Sequence, residues 1–316
     1  MRVVWCFVCG GLLLAPAGGF AASPGDPVAL LTEIRPGHGE VRVKLSTESE
    51  WKAPLPLLSL RQGDQVRVTR NATAVLMFVG GQGTVTVAAS NSPHTVQSAA
   101  EVSVRGKTPE VVTTVTRILM GKKKDLAYTA LATRSAKRPP VILSPRDGKL
   151  LGSPVLEWTG SDRVRYGVRV FGPQGLIWEQ ANLPQAPLPY PPNAPLLNPG
   201  FVYRWELSTK DFPVQQGRFS ILSATEIAGI RETLSALEPA ALPGYPKNTV
   251  TVMRAGFLFE QELYAEARTE LLAALQADPD EPSLHLMLGH VYERTGLPAM
   301  AGEEFDEAQY LSTRTP

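Results

Sequence analysis

Between Val28 and about Val104 apolar and polar residues alternate: Val41, Val43 and Leu45 take every second position, as do Val66 with Val68 and Val85 with Val87. A period of two predicts strands with one buried face, and Pro36-Gly37, Gly63-Asp64, Gly80-Gly81 and Ser92-Pro93 supply the turns between them. Short strands at this spacing predict an antiparallel β sandwich or barrel over 22–106. Over 107–138 the period lengthens, with Val111, Val112, Val115, Ile118 and Leu119 at helical spacing. Alternation returns after Pro139-Pro140 and predicts strands at 156–158, 166–171, 176–179, 201–207 and 217–222, a second sandwich over 139–222. Seven prolines between 184 and 199 cannot sit in a central strand, so that stretch reads as a polyproline II edge or crossover. From Thr225 the period becomes 3.6, and helices are predicted near 224–237, 248–261, 264–277, 283–295 and 298–311.

The 316 residues carry 19% charged side chains with 27 Gly and 28 Pro. That balance argues against a coiled coil, a disordered chain and a polybasic nucleic-acid binder. Residues 1–21 read as a secretory leader: Arg2, an apolar stretch from Val3 to Leu14, then Gly19-Phe20-Ala21 before Ala22 with small side chains where signal peptidase needs them. The competing reading is an uncleaved membrane anchor, which Pro16 and the leader glycines weaken. Cys6 and Cys9 both lie in the leader, so a processed chain would hold no disulfide, thiolate or cysteine metal ligand. The expected location is therefore the bacterial periplasm or cell envelope.

The formal charge of +1 conceals a split. Residues 223–316 hold 15 acids and 6 Lys/Arg, a net of −9, whereas residues 22–222 hold 15 acids and 24 bases, a net of +9. Such an asymmetry speaks of partners or of self-docking, not of fold. Seven basic residues lie between Arg117 and Arg138 against Asp125 alone. They read either as a solvated connector at a helix C-terminus or as a surface for anionic lipid or a polyanion.

An internal repeat stands out. Ala267, Leu271 and Ala274 recur 34 residues later as Ala301, Phe305 and Ala308, His285-x2-Leu288-Gly289-x2-Tyr292 precedes the second set, and Pro279 ends the first. This resembles the tetratricopeptide repeat, a 34-residue helical hairpin. The first copy departs from the pattern, with Ala255 and Leu258 where the family has Gly and Tyr. Two copies fall short of the three or so that stand alone, so the helix near 224–237 or a neighbouring protomer would complete the stack. The resemblance implies two repeats over 247–316 and a protein-binding groove at Val252, Phe259, Glu260, Leu286, His290, Glu293 and Arg294. The alternative is that the hairpins only pack on the rest of the chain.

Gly39-x-Val41, Trp51, Leu60-x2-Gly63-Asp64-x-Val66, Ala74-x-Leu76-x-Phe78 and Val85-x-Val87 look like the FecR-type β domain of bacterial envelope sensors and secreted multidomain proteins. Residues 139–222 are similar to immunoglobulin or fibronectin type III-like modules, through Pro145-x2-Gly148, Leu156-x-Trp158, Tyr166-x-Val168-x-Val170 and Pro199-Gly200-x2-Tyr203-x-Trp205. Trp158 and Trp205 read as core by strand register, whereas Trp51 and Trp178 stay open between core and sugar platform.

Catalytic motifs fail. Glu101 stands where a phosphate loop ending in Gly106-Lys107-Thr108 needs its first Gly, and neither His-Glu-x-x-His nor Gly-x-Ser-x-Gly occurs. The expected protein is multidomain, β then α: a leader (1–21), a FecR-like domain (22–106), a basic helical connector (107–138), an Ig-like sandwich (139–222), a helix and linker (223–246) and the hairpins (247–316). The expected role is a non-catalytic envelope scaffold without cofactor or metal. The hairpins would recruit an envelope protein, and the β modules would dock an envelope component. An envelope sensor or regulator and a peptidoglycan or glycan binder are the alternatives. No nucleic-acid partner is expected, membrane contact only through an uncleaved leader, and oligomerisation stays open.

Overall fold

A computed structural model describes residues 26–79, 83–97, 110–121, 139–161 and 163–314. The leader with both cysteines, Gly80-Gly81, Gly106-Lys107-Thr108 and the basic residues between Lys122 and Arg138 lie outside them. Strands fill the N-terminal part and helices the C-terminal part, with one helix between two β regions.

The first region has seven strands, β1 (Pro27–Arg35), β2 (Val41–Lys44), β3 (Ser59–Arg61), β4 (Gln65–Val68), β5 (Thr73–Phe78), β6 (Thr84–Val87) and β7 (His94–Thr95). They form two sheets, in the orders β3-β1-β5-β6 and β2-β4-β7, and every pairing is antiparallel. The core between them joins Leu31, Ile34, Leu76 and Phe78 of one sheet with Val41, Val43, Val66 and Val68 of the other. The Gly63-Asp64 turn is tied down by the Asp64 carboxylate, which accepts the backbone N–H groups of Ser46 (2.7 Å) and Arg61 (2.8 Å).

The second region has β8 (Ile142–Ser144), β9 (Gly148–Leu150), β10 (Val155–Trp158), β11 (Tyr166–Gly172), β12 (Gly175–Leu183), β13 (Leu188–Pro189), β14 (Val202–Ser208) and β15 (Gln215–Ile221). A three-stranded sheet, β13-β10-β8, and a five-stranded sheet, β12-β11-β14-β15-β9, share one apolar cluster containing Trp158, Tyr166, Trp205 and Phe219. The Trp205 indole N–H donates to the Pro145 carbonyl at 3.0 Å. The proline-rich stretch contributes only β13, a two-residue edge, where the missing N–H of Pro189 costs no central ladder bond.

The helices are α1 (Glu110–Gly121), α2 (Ala224–Ala236), α3 (Lys247–Glu260), α4 (Tyr264–Ala277), α5 (Pro282–Arg294) and α6 (Pro298–Thr313). Ser223 and Glu226 form a capping box that starts α2, and proline opens α5 and α6, where its missing N–H has no intrahelical partner to lose. The last four helices form two successive hairpins, α3–α4 and α5–α6.

The alternation expected for the first region fails in β1 and β5, which are buried on both faces. The physical reason is a second cover. Leu30 and Met77 point away from the β core and join one apolar cluster with Val112, Val115 and Leu119 of α1 and the interior of the hairpins. Helix α1 lies directly on α3: a Cβ placed on Gly256 would fall 2.6 Å from Leu119 Cδ2, so only glycine lets the two helices approach this closely. The Thr116 hydroxyl of α1 donates to its own helix at the Val112 carbonyl, at 2.7 Å, which satisfies it inside this contact. Among the described residues α2 adds one buried apolar side chain within the helix, Ile230. The face that two hairpins leave open is therefore covered largely by α1 and β1 of the same chain.

Candidate functional site

Where the second β region meets the hairpins, the chain forms a cleft of about 390 Å³. Asp147, Gly148 and Lys149 line it from β9 and the turn before it, Val202, Arg218, Phe219 and Ser220 from β14 and β15, and Glu262, Tyr264 and Arg294 from the helical side. The backbone makes the junction. The Lys149 N–H donates to the Glu262 carbonyl at 2.9 Å, in the α3–α4 turn. A Cβ on Gly148 would stand 2.8 Å from that carbonyl oxygen and 3.0 Å from Tyr264 Cδ2, so glycine is required for the approach. Asp147 and Glu262 both hold left-handed backbone conformations, φ 47° and 62°.

Charge alternates along the walls. Lys149 pairs with Glu262 at 2.9 Å and Arg218 with Asp147 at 3.1 Å, while Arg294 donates its Nε–H to the Tyr264 hydroxyl at 3.0 Å. Val202, exposed over 65% of its surface, sets an apolar patch beside these groups. Deeper contacts fix the two walls together. Arg268 is ion-paired with Glu157 of β10, and Glu266 accepts the Leu151 N–H at 2.9 Å. Burial pushes the Glu266 carboxyl above the usual carboxylate range, an effect that the Leu151 N–H partly opposes.

The seven groove positions expected from sequence separate by depth. Thr249, Val252 and Gly256 follow one another on a single face of α3, which Phe259 and Glu260 continue. At its start that face is under β1, in its middle under α1, and at its end it emerges. Val252 is 0% exposed and Leu286 1%, both inside the shared apolar cluster, so neither presents surface to a second molecule. Phe259 is half-buried and packs edge-on against Tyr264, with ring centroids 5.3 Å apart. His290 lies 4.9 Å from the Phe305 ring and 3.4 Å from the Glu293 carboxylate. Glu260, Glu293 and Arg294 are exposed. Tyr264, which motif reasoning did not single out, thus touches both Phe259 and Arg294, and of the seven positions only Arg294 reaches the cleft with it.

Trp51 and Trp178, left open by sequence, are both half-buried. The Arg67 guanidinium sits 4.5 Å and the Lys44 ammonium 5.5 Å from the Trp51 ring centroid, and Trp178 packs edge-on against Tyr190. Trp158 and Trp205 are core residues.

A second polar junction joins β1 to the starts of α3 and α5. Pro246 precedes α3 and has no capping side chain. The cap comes instead from Glu33, whose Oε1 accepts the Thr249 N–H at 3.0 Å and the Thr249 hydroxyl at 2.9 Å. Arg35 donates to Glu33 Oε2 at 3.2 Å and to Asp278 at 2.8 Å, and Asn248 donates to the same Asp278 oxygen at 2.7 Å. Glu281 accepts the backbone N–H groups of Ile34 and Ser283, each at 3.3 Å.

Among the described residues no group of three or more His, Cys, Asp or Glu could hold a metal ion, and no helix is long and apolar enough to cross a membrane. A scan against protein-family models found no match for the chain, and a search of curated proteins returned none.

Proposed function

We propose that the chain is an exported, non-catalytic scaffold of the bacterial envelope, built from a FecR-type β domain, an Ig or fibronectin III-like module and tetratricopeptide-type hairpins, and that it binds a polypeptide segment of another envelope protein. The observation that carries this reading is the cleft, where Glu262, Tyr264 and Arg294 of the hairpins face Lys149, Arg218 and Val202 of the second β region. Charges of both signs beside exposed apolar surface suit a mixed-charge peptide, held by side-chain ion pairs and an apolar anchor. The buried part of the hairpin face serves the chain's own α1 and β1, which leaves the emerging end for a partner.

The test uses the full chain in its native envelope. A photocrosslinking residue placed at Val202 should capture one specific envelope protein, and the double change Lys149→Glu and Arg294→Glu should lower that capture at least about tenfold, the loss expected for two interfacial charges. Purified peptidoglycan should not compete. Crosslinks spread evenly over many proteins, or capture that ignores both substitutions, would overturn the reading.

A further inference from the structure

We propose that the junction between β1 and the hairpins is a proton-operated clasp, in which the neutral Glu281 carboxyl holds α3 and α5 against β1 and its ionisation loosens that hold. This goes beyond the cleft and does not depend on it. The geometry is that of a carboxyl kept dry. The Glu281 side chain is 0% exposed, its Oε1 has two long hydrogen bonds at 3.3 Å, and its buried Oε2 has no hydrogen-bond partner. The nearest cation, Arg35, approaches Oε2 only to 4.0 Å, is itself half exposed, and already serves Glu33 at 3.2 Å and Asp278 at 2.8 Å. From β1 the junction receives Glu33, Arg35 and the Thr32 hydroxyl; from α3, Asn248 and Thr249; from the α4–α5 turn and the start of α5, Asp278 and Ser283. One cation therefore stands against three carboxyl groups, and two of those, Glu33 and Glu281, are buried.

An ionised Glu281 would be a second negative charge in a water-poor seam, a state that is strongly disfavoured unless it is matched by a close cation. Burial, and after it the repulsion of Glu33, pushes the Glu281 carboxyl up from 4.5 to about 8. The folded-state value is raised, so the clasp is fully held below about 4.5 and is lost as pH rises through about 8. The contacts at stake are the ones that cover the start of the α3 face: Thr32 with Thr249 at 2.9 Å, Glu33 with Thr249, and Ile34 with Glu281. Opening would bare Thr249 and the Val252 end of the hairpin face.

The experiment is amide hydrogen exchange on the full chain, corrected for the intrinsic pH dependence of exchange, read at Ile34 and Thr249. Their opening equilibrium should rise by up to about tenfold per pH unit, the limit for one proton, in the range between Glu281's two values. In Glu281→Gln, which keeps the shape of the neutral carboxyl, the profile should be flat. A flat profile in the unmodified chain, or an unchanged slope in Glu281→Gln, overturns the proposal. If that variant does not fold, carbon-detected NMR titration of the unmodified chain decides: a Glu281 midpoint near 8 upholds the clasp and one near 4.5 ends it. Glu33→Gln should lower the midpoint, because it removes the neighbouring charge.

Discussion

His285 stands in the first turn of α5, and its two ring nitrogens define its chemistry. Nδ1 lies 2.7 Å from a Glu304 carboxylate oxygen and Nε2 lies 2.8 Å from the Pro279 carbonyl. Both partners are acceptors, so the ring satisfies both only as the imidazolium. Burial works against the charge, but the Glu304 carboxylate and the Pro279 carbonyl outweigh it and raise the pKa above 6.5. The ring ties the α4–α5 turn to α6. A raised value means that its contribution is complete below about 6.5 and is lost as pH rises through the folded-state pKa. His285→Asn should therefore lower stability by about 1–3 kcal/mol at acidic pH and by much less in alkali, measured as urea midpoints across pH. Glu281 acts in the same direction over an overlapping range, so the unmodified chain should lose stability with rising pH more steeply than either Glu281→Gln or His285→Asn. Equal destabilisation of His285→Asn at both ends of the range would mean that the ring serves by packing, not by charge.

At the scale of elements, the hairpins were legible because their signals are local. Small residues repeat at a 34-residue offset, Pro282 and Pro298 open helices, and the predicted spans 264–277 and 283–295 match α4 and α5 to within a residue at each end. Helix α1 was legible for the same reason, from five apolar residues at helical spacing. The double burial of β1 was not. Its run Val28-Ala29-Leu30-Leu31 breaks the alternation, but apolar residues on both faces say only that two covers exist, not that α1 and α3 form the second. The cap of α3 was hidden for a similar reason: its donor lies in α3 and its acceptor, Glu33, is 216 residues away. The sole local trace was an absence, Pro246 where a capping Ser or Asp is usual. This long-range cap predicts a specific rescue. Glu33→Ala should cost about 1–2 kcal/mol by leaving the Thr249 N–H without its acceptor, and Pro246→Asp in that background should restore about half of it. Chemical denaturation followed at 222 nm measures both, and a rescue no larger than Pro246→Asp gives in the unmodified chain would show that Glu33 does not act as a cap.

At the scale of the whole molecule, a linear succession of domains describes the sequence order but not the energetics. Leu30, Leu57 and Met77 of the first β region, Val112, Val115 and Leu119 of α1, and the hairpin interior belong to one apolar cluster. The second β region is held to the hairpins by the Arg268–Glu157 ion pair, the Leu151–Glu266 hydrogen bond and the backbone bond from Lys149 to Glu262. The helical part thus holds both β regions, through ion pairs of either polarity: Arg35–Asp278 and Lys149–Glu262 in one sense, Arg268–Glu157 in the other. The open face of the two helical hairpins is thus covered in cis. A fragment starting at 224 would bare the surfaces that Leu30, Met77 and Leu119 now cover, and should be less stable and prone to self-association. The distribution of tryptophan offers a direct test of cooperativity in the intact chain. Trp51, Trp158, Trp178 and Trp205 all lie in the β regions, and residues 223–316 contain none. With Trp5, outside the described residues, replaced by Phe, fluorescence reports unfolding of the β regions, whereas ellipticity at 222 nm reports mainly the helices. Because the cores are shared, the two melting curves should coincide within about 2 °C, as a single cooperative unit requires. Leu119→Asp, which puts a charge between α1 and Gly256, should separate them, with the helical signal melting first. Curves that are already separate in the unmodified chain would mean that the hairpins fold on their own and that the covering by α1 and β1 contributes little to their stability.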